Sequence, residues 1–312
     1  MRAIITVILP VFGIMLAGYL AGRFRVLGEV SSEALNRFVY FFALPALFFV
    51  SLARVPVGDV FHEPFLAAFG GGLLLTFGFA FIVGRVFFPN RLAALGLHAM
   101  CAIFSNTGYL GIPLLLIAFG EVGKLPGIIS TVIMGTVVMA VGVVLIETDL
   151  SRGRGPLAIV ANVAAGVAKS PLILAACAGL LVSAAGLSLP GPLATFADLL
   201  GAAASPCALF AIGLFLAGQS VAAGRAEIAW LVAVKLIVQP AVTWWLAFGV
   251  LSMDPTWAAT AVVQAALPTG TLVFVLAQQY GFFVQRASAA ILISTMGSVV
   301  TLSLLFAMLA VG

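Results

Sequence analysis

Long apolar runs separated by short polar or turn-forming interruptions dominate the chain. Ten are long enough to be helices that cross a bilayer, at about 4–23, 34–53, 64–88, 92–118, 125–147, 165–187, 193–218, 226–250, 256–280 and 286–310. Each is close to the roughly 20 residues that hydrocarbon thickness requires. The interruptions carry the residues that stop helices: Pro56 and Gly58, Pro89-Asn90-Arg91, Gly120 and Gly123, Pro190-Gly-Pro192, and Asp254-Pro255. The runs are continuous rather than alternating, which excludes a β-barrel. The loops are too short for a separate soluble domain. Arg23 and Arg25 follow the first run, the reverse of the charge order around a cleaved signal, so that run is expected to remain as the first helix.

Composition sharpens this picture. Hydrophobic residues make up 63% of the 312 and charged residues 8%, with a mean hydropathy of +1.27. A soluble domain carries about 25% charged residues, so a soluble enzyme, a disordered protein and a soluble binding module are excluded. The net charge of +4 comes without an aromatic-interleaved basic stripe, and no nucleic-acid partner is expected. The cations are instead a topology signal. With the N-terminus outside, ten Lys and Arg fall in inside segments and three outside, with Lys235 inside a span. Both termini are therefore expected on the outer, periplasmic side of an inner membrane. Cys101, Cys177 and Cys207 sit in apolar runs without CxxC spacing and read as buried free thiols with no metal role. No metal and no cofactor are expected.

The two halves match at an offset of 161. Pro10 pairs with Pro171, Gly18 with Gly179, Pro45 with Pro206, and Phe119-Gly120 with Tyr280-Gly281. Each half holds five spans, and an odd number inverts the second half. The expected organisation is a first five-helix repeat over 1–148, a cytoplasmic linker over 149–164 and a second, inverted repeat over 165–312. Inverted repeats are a hallmark of secondary transporters.

Interrupted spans at matching positions of two halves point to the binding site. Span 4 contains Phe104-Ser-Asn-Thr-Gly-Tyr-Leu-Gly-Ile-Pro113, and span 9 contains Gln264-Ala-Ala-Leu-Pro-Thr-Gly-Thr271. Pro removes a helix hydrogen bond and Gly permits departure from α geometry. Such breaks are tolerated in a membrane only against protein or a water-filled cavity. Two crossing broken helices would bring half-helix N-termini together, and their free N–H groups favour an anion. Asn106, Thr107, Thr269 and Thr271 would add hydrogen bonds, with Gly108, Pro113, Gln264, Pro268 and Gly270 shaping the same two segments. Taken singly, each break is equally consistent with a packing kink.

Few ionisable groups lie within the spans. Lys235, about nine residues into span 8, reads either as a positive charge or proton carrier beside the anion path, or as a side chain snorkelling to the inner face. His98, early in span 4, reads as a coupling group or as a structural histidine. Glu147, Asp149 and Asp198 read as boundary residues. Gly18 and Gly22 form a GxxxG, and Gly70-Gly71-Gly72 a small-residue run, both suited to close helix packing. No GxSxG, HExxH or intramembrane Asp pair is present, and Ser105 and His98 lack a third partner for hydrolysis. No enzyme is expected.

At these residues the chain resembles the auxin efflux carrier family, which includes the plant PIN-type auxin exporters and bacterial carriers, some assigned to malonate. The resemblance rests on Ile8-Leu-Pro-Val-Phe-Gly-Ile-Met-Leu-Ala-Gly-Tyr19, on Asn36-Arg-Phe-Val-Tyr-Phe-Phe-Ala-Leu-Pro-Ala-Leu-Phe48 and on Asn106-Thr-Gly-Tyr-Leu-Gly-Ile-Pro113. It rests also on Lys235 with Pro240, on Leu267-Pro268, and on Ala277 with Tyr280-Gly281. It covers essentially the whole chain. It implies a ten-helix fold like that of bile-acid/sodium symporters and sodium/proton antiporters, with broken helices 4 and 9 crossing. Helices 1, 2, 6 and 7 would form a dimerising scaffold, and helices 3–5 and 8–10 a moving transport domain. A carboxylate would bind at the crossover, with Asn106, Pro113 and Pro268 carried over from the family motif. The acidic residue that sodium-coupled relatives carry in helix 9 is missing, since span 9 offers only Gln264.

The expected function is an elevator-type secondary carrier of small organic anions, malonate-like or auxin-like. The alternatives are a sodium-coupled organic-anion symporter of the bile-acid type, and a channel or sensor.

Overall fold

The structure is a computed structural model and describes residues 7–88, 90–150, 165, 168–219 and 224–309. Most of the expected linker, 151–164, lies outside the described residues, as do Arg2, Arg152 and Arg154 of the charge count.

All regular structure among the described residues is helical. In chain order the helices are α1 (Leu9–Arg23), α2 (Val30–Ala53), α3 (Glu63–Phe87), α4 (Leu92–Ile103), α5 (107–119), α6 (124–150), α7 (Pro171–Ala184), α8 (Gly191–Ala217), α9 (Arg225–Val250), α10 (Pro255–Ala266), α11 (Leu272–Tyr280) and α12 (Val284–Met308). Among the described residues, six helical runs are long and apolar enough to cross a membrane on their own, and α1, α4 and α7 are shorter apolar helices. One of the six, Thr107–Leu150, is not a straight rod. Gly120 adopts φ +66° and turns the chain back, so that Gly123 packs directly on the Leu115 carbonyl. This reversal separates α5 from α6.

Proline shapes these helices in a regular way. The ring clashes with the carbonyl of residue i−4 and removes an N–H. A π turn, with its i→i+5 bonds, relieves that clash. Val39–Ala43 precedes Pro45, Thr107–Gly111 precedes Pro113, and Val234–Val238 precedes Pro240, each as a π turn. Proline is thus accommodated in three helices without ending them.

Glycine brings helices together. Gly18 of α1 lies against the Phe210 backbone of α8, and Gly213 of α8 against Met15. Gly22 packs on Ala217, which uses the expected GxxxG for packing within the chain. Gly179 of α7 meets the Phe49 carbonyl of α2, and Gly201 of α8 meets Leu47. Gly72 of α3 sits on Thr243 of α9. The consequence is two packed groups. One holds α1, α2, α7 and α8. The other holds α3, α4, α6, α9, α10, α11 and α12, around a core that includes Phe65, Phe69, Leu97, Met100, Val234 and Leu276.

Outward faces carry large apolar side chains such as Leu74, Ile82, Leu181, Leu199 and Val300, as a surface in contact with lipid requires. Arg54 forks onto Asp198 through two bonds of 3.0 and 2.7 Å, joining the end of α2 to α8. Arg91 pairs with Asp149, and the Tyr280 hydroxyl donates to Glu147 at 2.9 Å. These acidic residues are thus interhelical ties. Of the cysteines, only Cys101 is buried. Cys177 is exposed and Cys207 half-buried, because each faces outward from its helix.

Candidate functional site

The two Pro/Gly-rich segments meet. α4 ends at Ile103 and helical turns resume at Thr107. α10 ends at Ala266 and α11 begins at Leu272. Leu267 is extended, φ −62° and ψ 152°, as the residue before a proline prefers. Between these ends, Ser105 and Thr269 form an antiparallel bridge. The Asn106 N–H donates to the Pro268 carbonyl at 3.0 Å, and the Gly270 N–H to the Phe104 carbonyl at 2.8 Å. Gly270 packs tightly there, since a Cβ would stand 3.0 Å from the Phe104 ring.

The helix ends left by the breaks are closed by side chains. Thr269 donates its hydroxyl to the Cys101 carbonyl at 2.8 Å, and Gln239 donates to the Ile103 carbonyl at 3.0 Å. Lys235 donates to the Ala265 carbonyl at 2.7 Å and to Ser105 Oγ at 3.0 Å. A cation at a helix C-terminus meets orphan carbonyls and the negative end of the dipole. Lys235 is fully buried, so its side chain turns to the crossover rather than snorkelling outward. No carboxylate is among its partners in the described residues.

Beside the bridge lies a small cleft. Its floor is the stretch Phe104–Tyr109 together with Gly270, Thr271 and Leu272. Its walls are Tyr40 and Leu44 of α2, Thr131, Met134 and Gly135 of α6, and Leu172 of α7. It therefore sits between the two packed groups. No charged side chain lines it. The Asn106 carboxamide makes no hydrogen bond within the described residues, and neither does the Thr271 hydroxyl. The first turns of α5 and α11 leave N–H groups that no intrahelical carbonyl can reach.

The expected site residues thus divide. Asn106, Thr107, Gly108, Gly270 and Thr271 line the cleft together. Pro268 and Thr269 build the bridge, with the Thr269 N–H accepted by Ser294 Oγ at 3.1 Å and its hydroxyl already engaged, so that side chain is absent from the lining. Pro113 lies buried inside α5, past the cleft. Gln264 is fully buried, its carboxamide over the bare Cα atoms of Gly111 and Gly127, with both amide atoms unpartnered in the described residues. His98 is elsewhere. Its Nδ1 is 2.7 Å from Glu227 Oε1, and Arg286 Nη1 is 2.8 Å from Glu227 Oε2. This buried cluster joins α4, α9 and α12, and Gly84 of α3 makes room for the His98 ring. Sequence reading missed Ser105 as a partner of Lys235 and missed Glu227 altogether. The signal for Glu227 was present, as an acidic residue inside a strongly apolar run.

An all-helical chain with a lipid-compatible exterior and a central cleft, floored by two helix interruptions with hydrogen-bond donors to spare, has the build of a membrane carrier. The chain belongs to the membrane transport protein family, the group of the auxin efflux carriers, whose model matches residues 3–306. It is 35% identical over 307 residues to a Rhizobium meliloti (strain 1021) protein titled "Putative malonate transporter", covering 97% of this chain and 95% of that one. It is 27% identical over 302 residues, 94% of both chains, to the "Uncharacterized transporter YfdV" of Escherichia coli (strain K12). An "Uncharacterized transporter" of Methanothermobacter thermautotrophicus is 27% identical over 304 residues, 95% of both. The protein is a multi-pass membrane transporter, and no enzyme.

Proposed function

We propose that this transporter is an elevator-type secondary carrier of small organic anions, and that a substrate carboxylate binds in the cleft at the crossover. The observation that carries this reading is Asn106, a buried cleft-lining residue just before α5 whose carboxamide makes no hydrogen bond in the described residues. An acceptor-only carboxylate is the ligand such donors fit, and helix N-termini favour negative charge. Walls of Leu44, Met134, Leu172 and Leu272 suit the carbon body of the substrate. The relative titled for malonate supports a dicarboxylate as the first compound to try.

In this reading α4 with α5, and α10 with α11, are two broken crossings of a ten-helix fold built from inverted five-helix repeats. The group α1, α2, α7 and α8 is a dimerising scaffold, and the rest moves as the transport domain. The cleft lies on the boundary between them, where a sliding domain would expose it to one side and then the other. Both termini face the periplasm of an inner membrane, as the charge count supports. Lys235 and His98 are the candidate coupling groups. The absence of a crossover carboxylate among the cleft-lining residues speaks against sodium coupling.

The test is uptake of labelled malonate and indole-3-acetate into proteoliposomes, with and without imposed proton and sodium gradients. Saturable flux that Asn106→Ala abolishes supports the carrier reading. Flux unchanged by Asn106→Ala overturns the site, and unsaturable current indicates a channel.

A further inference from the structure

We infer that Lys235 and Ser105 form a single proton-and-anion switch, so that an anion in the cleft is bound together with one proton. This deepens the reading above and rests on it.

The argument starts from hydrogen-bond capacity. An ammonium has three donors and no acceptor, and a serine hydroxyl has one donor and two lone pairs. Lys235 Nζ lies 3.0 Å from Ser105 Oγ and 2.7 Å from the Ala265 carbonyl. The carbonyl takes an N–H in either protonation state of the lysine. The hydroxyl does not behave the same way in both.

When Lys235 is an ammonium, Ser105 Oγ must accept from it. The Ser105 hydrogen then has no acceptor within the described protein, and the residue lines the cleft, so the O–H is offered to the ligand. A hydroxyl polarised by a cation is a stronger donor than an ordinary one. When Lys235 is a neutral amine, its lone pair accepts the Ser105 hydrogen, and the cleft loses a donor. The passage between the two states balances. Water in the cleft gives a proton to Ser105 Oγ as the hydroxyl hydrogen passes to Nζ, and the hydroxide left behind is neutralised by a proton from bulk solvent, so the pair gains the one proton that the solvent loses.

The surroundings make this lysine the group that responds. An anion in the cleft favours the ammonium over the neutral amine. The other titratable groups on the elements packed against this turn are His98 and Cys101 of α4, Arg225 and Glu227 on α9 itself, Arg286 of α12, and Glu63 and Arg85 of α3. Glu227 pairs with both His98 Nδ1 and Arg286, while His98 Nε2 is buried without a hydrogen-bond partner in the described residues. Glu227 precedes Lys235 by eight residues, about 12 Å along the axis. The first half of the second broken segment, α10, brings no ionisable group, and no carboxylate is bonded to Nζ in the described residues. Linkage fixes the sign: the proton and the anion each raise the affinity for the other by the same factor.

Calorimetric titration of the purified protein with malonate, in two buffers of different ionisation enthalpy, reads the protons taken up. It is run from about pH 7 to about pH 9, above the carboxylate range. The wild type is expected to take up close to one proton per malonate at the alkaline end, with affinity falling by up to about tenfold per pH unit. Lys235→Met should abolish uptake and flatten the profile. Ser105→Ala, which keeps the lysine, should weaken binding about tenfold and lower uptake, and Ser105→Thr, which keeps the hydroxyl, should restore both. Asn106-dependent binding without proton uptake, or uptake that survives Lys235→Met, overturns the switch alone. Uptake lost in His98→Gln and kept in Lys235→Met moves the proton to the His98 cluster and also overturns it. Malonate binding absent from the wild type, or indifferent to Asn106→Ala, removes the carrier site and the switch with it.

Discussion

Asn106 and Pro268 hold each other across the crossover: the Asn106 N–H donates to the Pro268 carbonyl at 3.0 Å, while the Asn106 carboxamide is left free above the cleft. The backbone of one residue therefore does structural work, and its side chain does none. Proline, which has no N–H, contributes the one main-chain group it has.

Asn106→Ala should for that reason separate function from stability. The backbone bond survives, and no side-chain bond is lost. Saturable uptake is expected to disappear, while the unfolding free energy in detergent changes by less than about 1 kcal/mol. Parallel uptake and thermal-unfolding measurements check both halves of the statement.

The two crossover threonines should respond in opposite ways. Thr269→Val removes the bond to the Cys101 carbonyl and should cost about 1 kcal/mol of stability, with ligand affinity nearly kept. Thr271→Val removes a hydroxyl that lines the cleft and has no protein partner, so it should weaken malonate binding with little change in melting temperature. Binding and melting curves on the same two preparations decide this.

At α1, glycines only five residues apart should differ sharply. A side chain at Gly18 meets the Phe210 backbone, whereas nothing stands within 4 Å of a Cβ at Gly13. Gly18→Val is expected to destabilise by about 1–3 kcal/mol through overpacking. Gly13→Ala should be neutral, or stabilising by up to about 1 kcal/mol from helix propensity. Denaturation midpoints of the two variants give the comparison.

Glu227 ties His98 to Arg286 and is 5% exposed. Glu227→Ala leaves a buried imidazole and a guanidinium without their acceptor. The expected loss is about 3 kcal/mol, the lower end for a broken buried pair, because Arg286 is partly exposed. The double variant Glu227→Ala/Arg286→Ala should recover part of that loss, as a double-mutant cycle would show.

What the sequence disclosed follows from how each feature is encoded. Helices are local, so apolar runs and their Pro and Gly punctuation place them, and the stops at Ile103 and Ala266 fall immediately before the first and inside the second of the two segments singled out by composition. Lateral neighbours are not local. Lys235 and Ser105 are 130 residues apart in the chain, and His98 and Glu227 are 129 apart. Periodicity gives the depth of Lys235 in its run but not its direction, and that direction decides between snorkelling and capping Ala265. Thr269 looked like a ligand donor because a threonine in a helix break usually has a free hydroxyl. Here the carbonyl left orphaned at Cys101 claims it. Glu227 is an acidic residue in a strongly apolar run, two residues past Arg225, and the packing of α4 and α12 shows it as buried.

The stitches around the crossover also set an order of assembly. Every side chain that closes the carbonyls exposed at the end of α4 comes from the second half of the chain, 136 to 168 residues later. Until those residues have been synthesised, the stretch around Ser105 carries bare peptide groups that hydrocarbon cannot solvate. A ribosome-bound first half is therefore an open fragment, visible to membrane quality control, and it is sealed only when the last third of the polypeptide arrives.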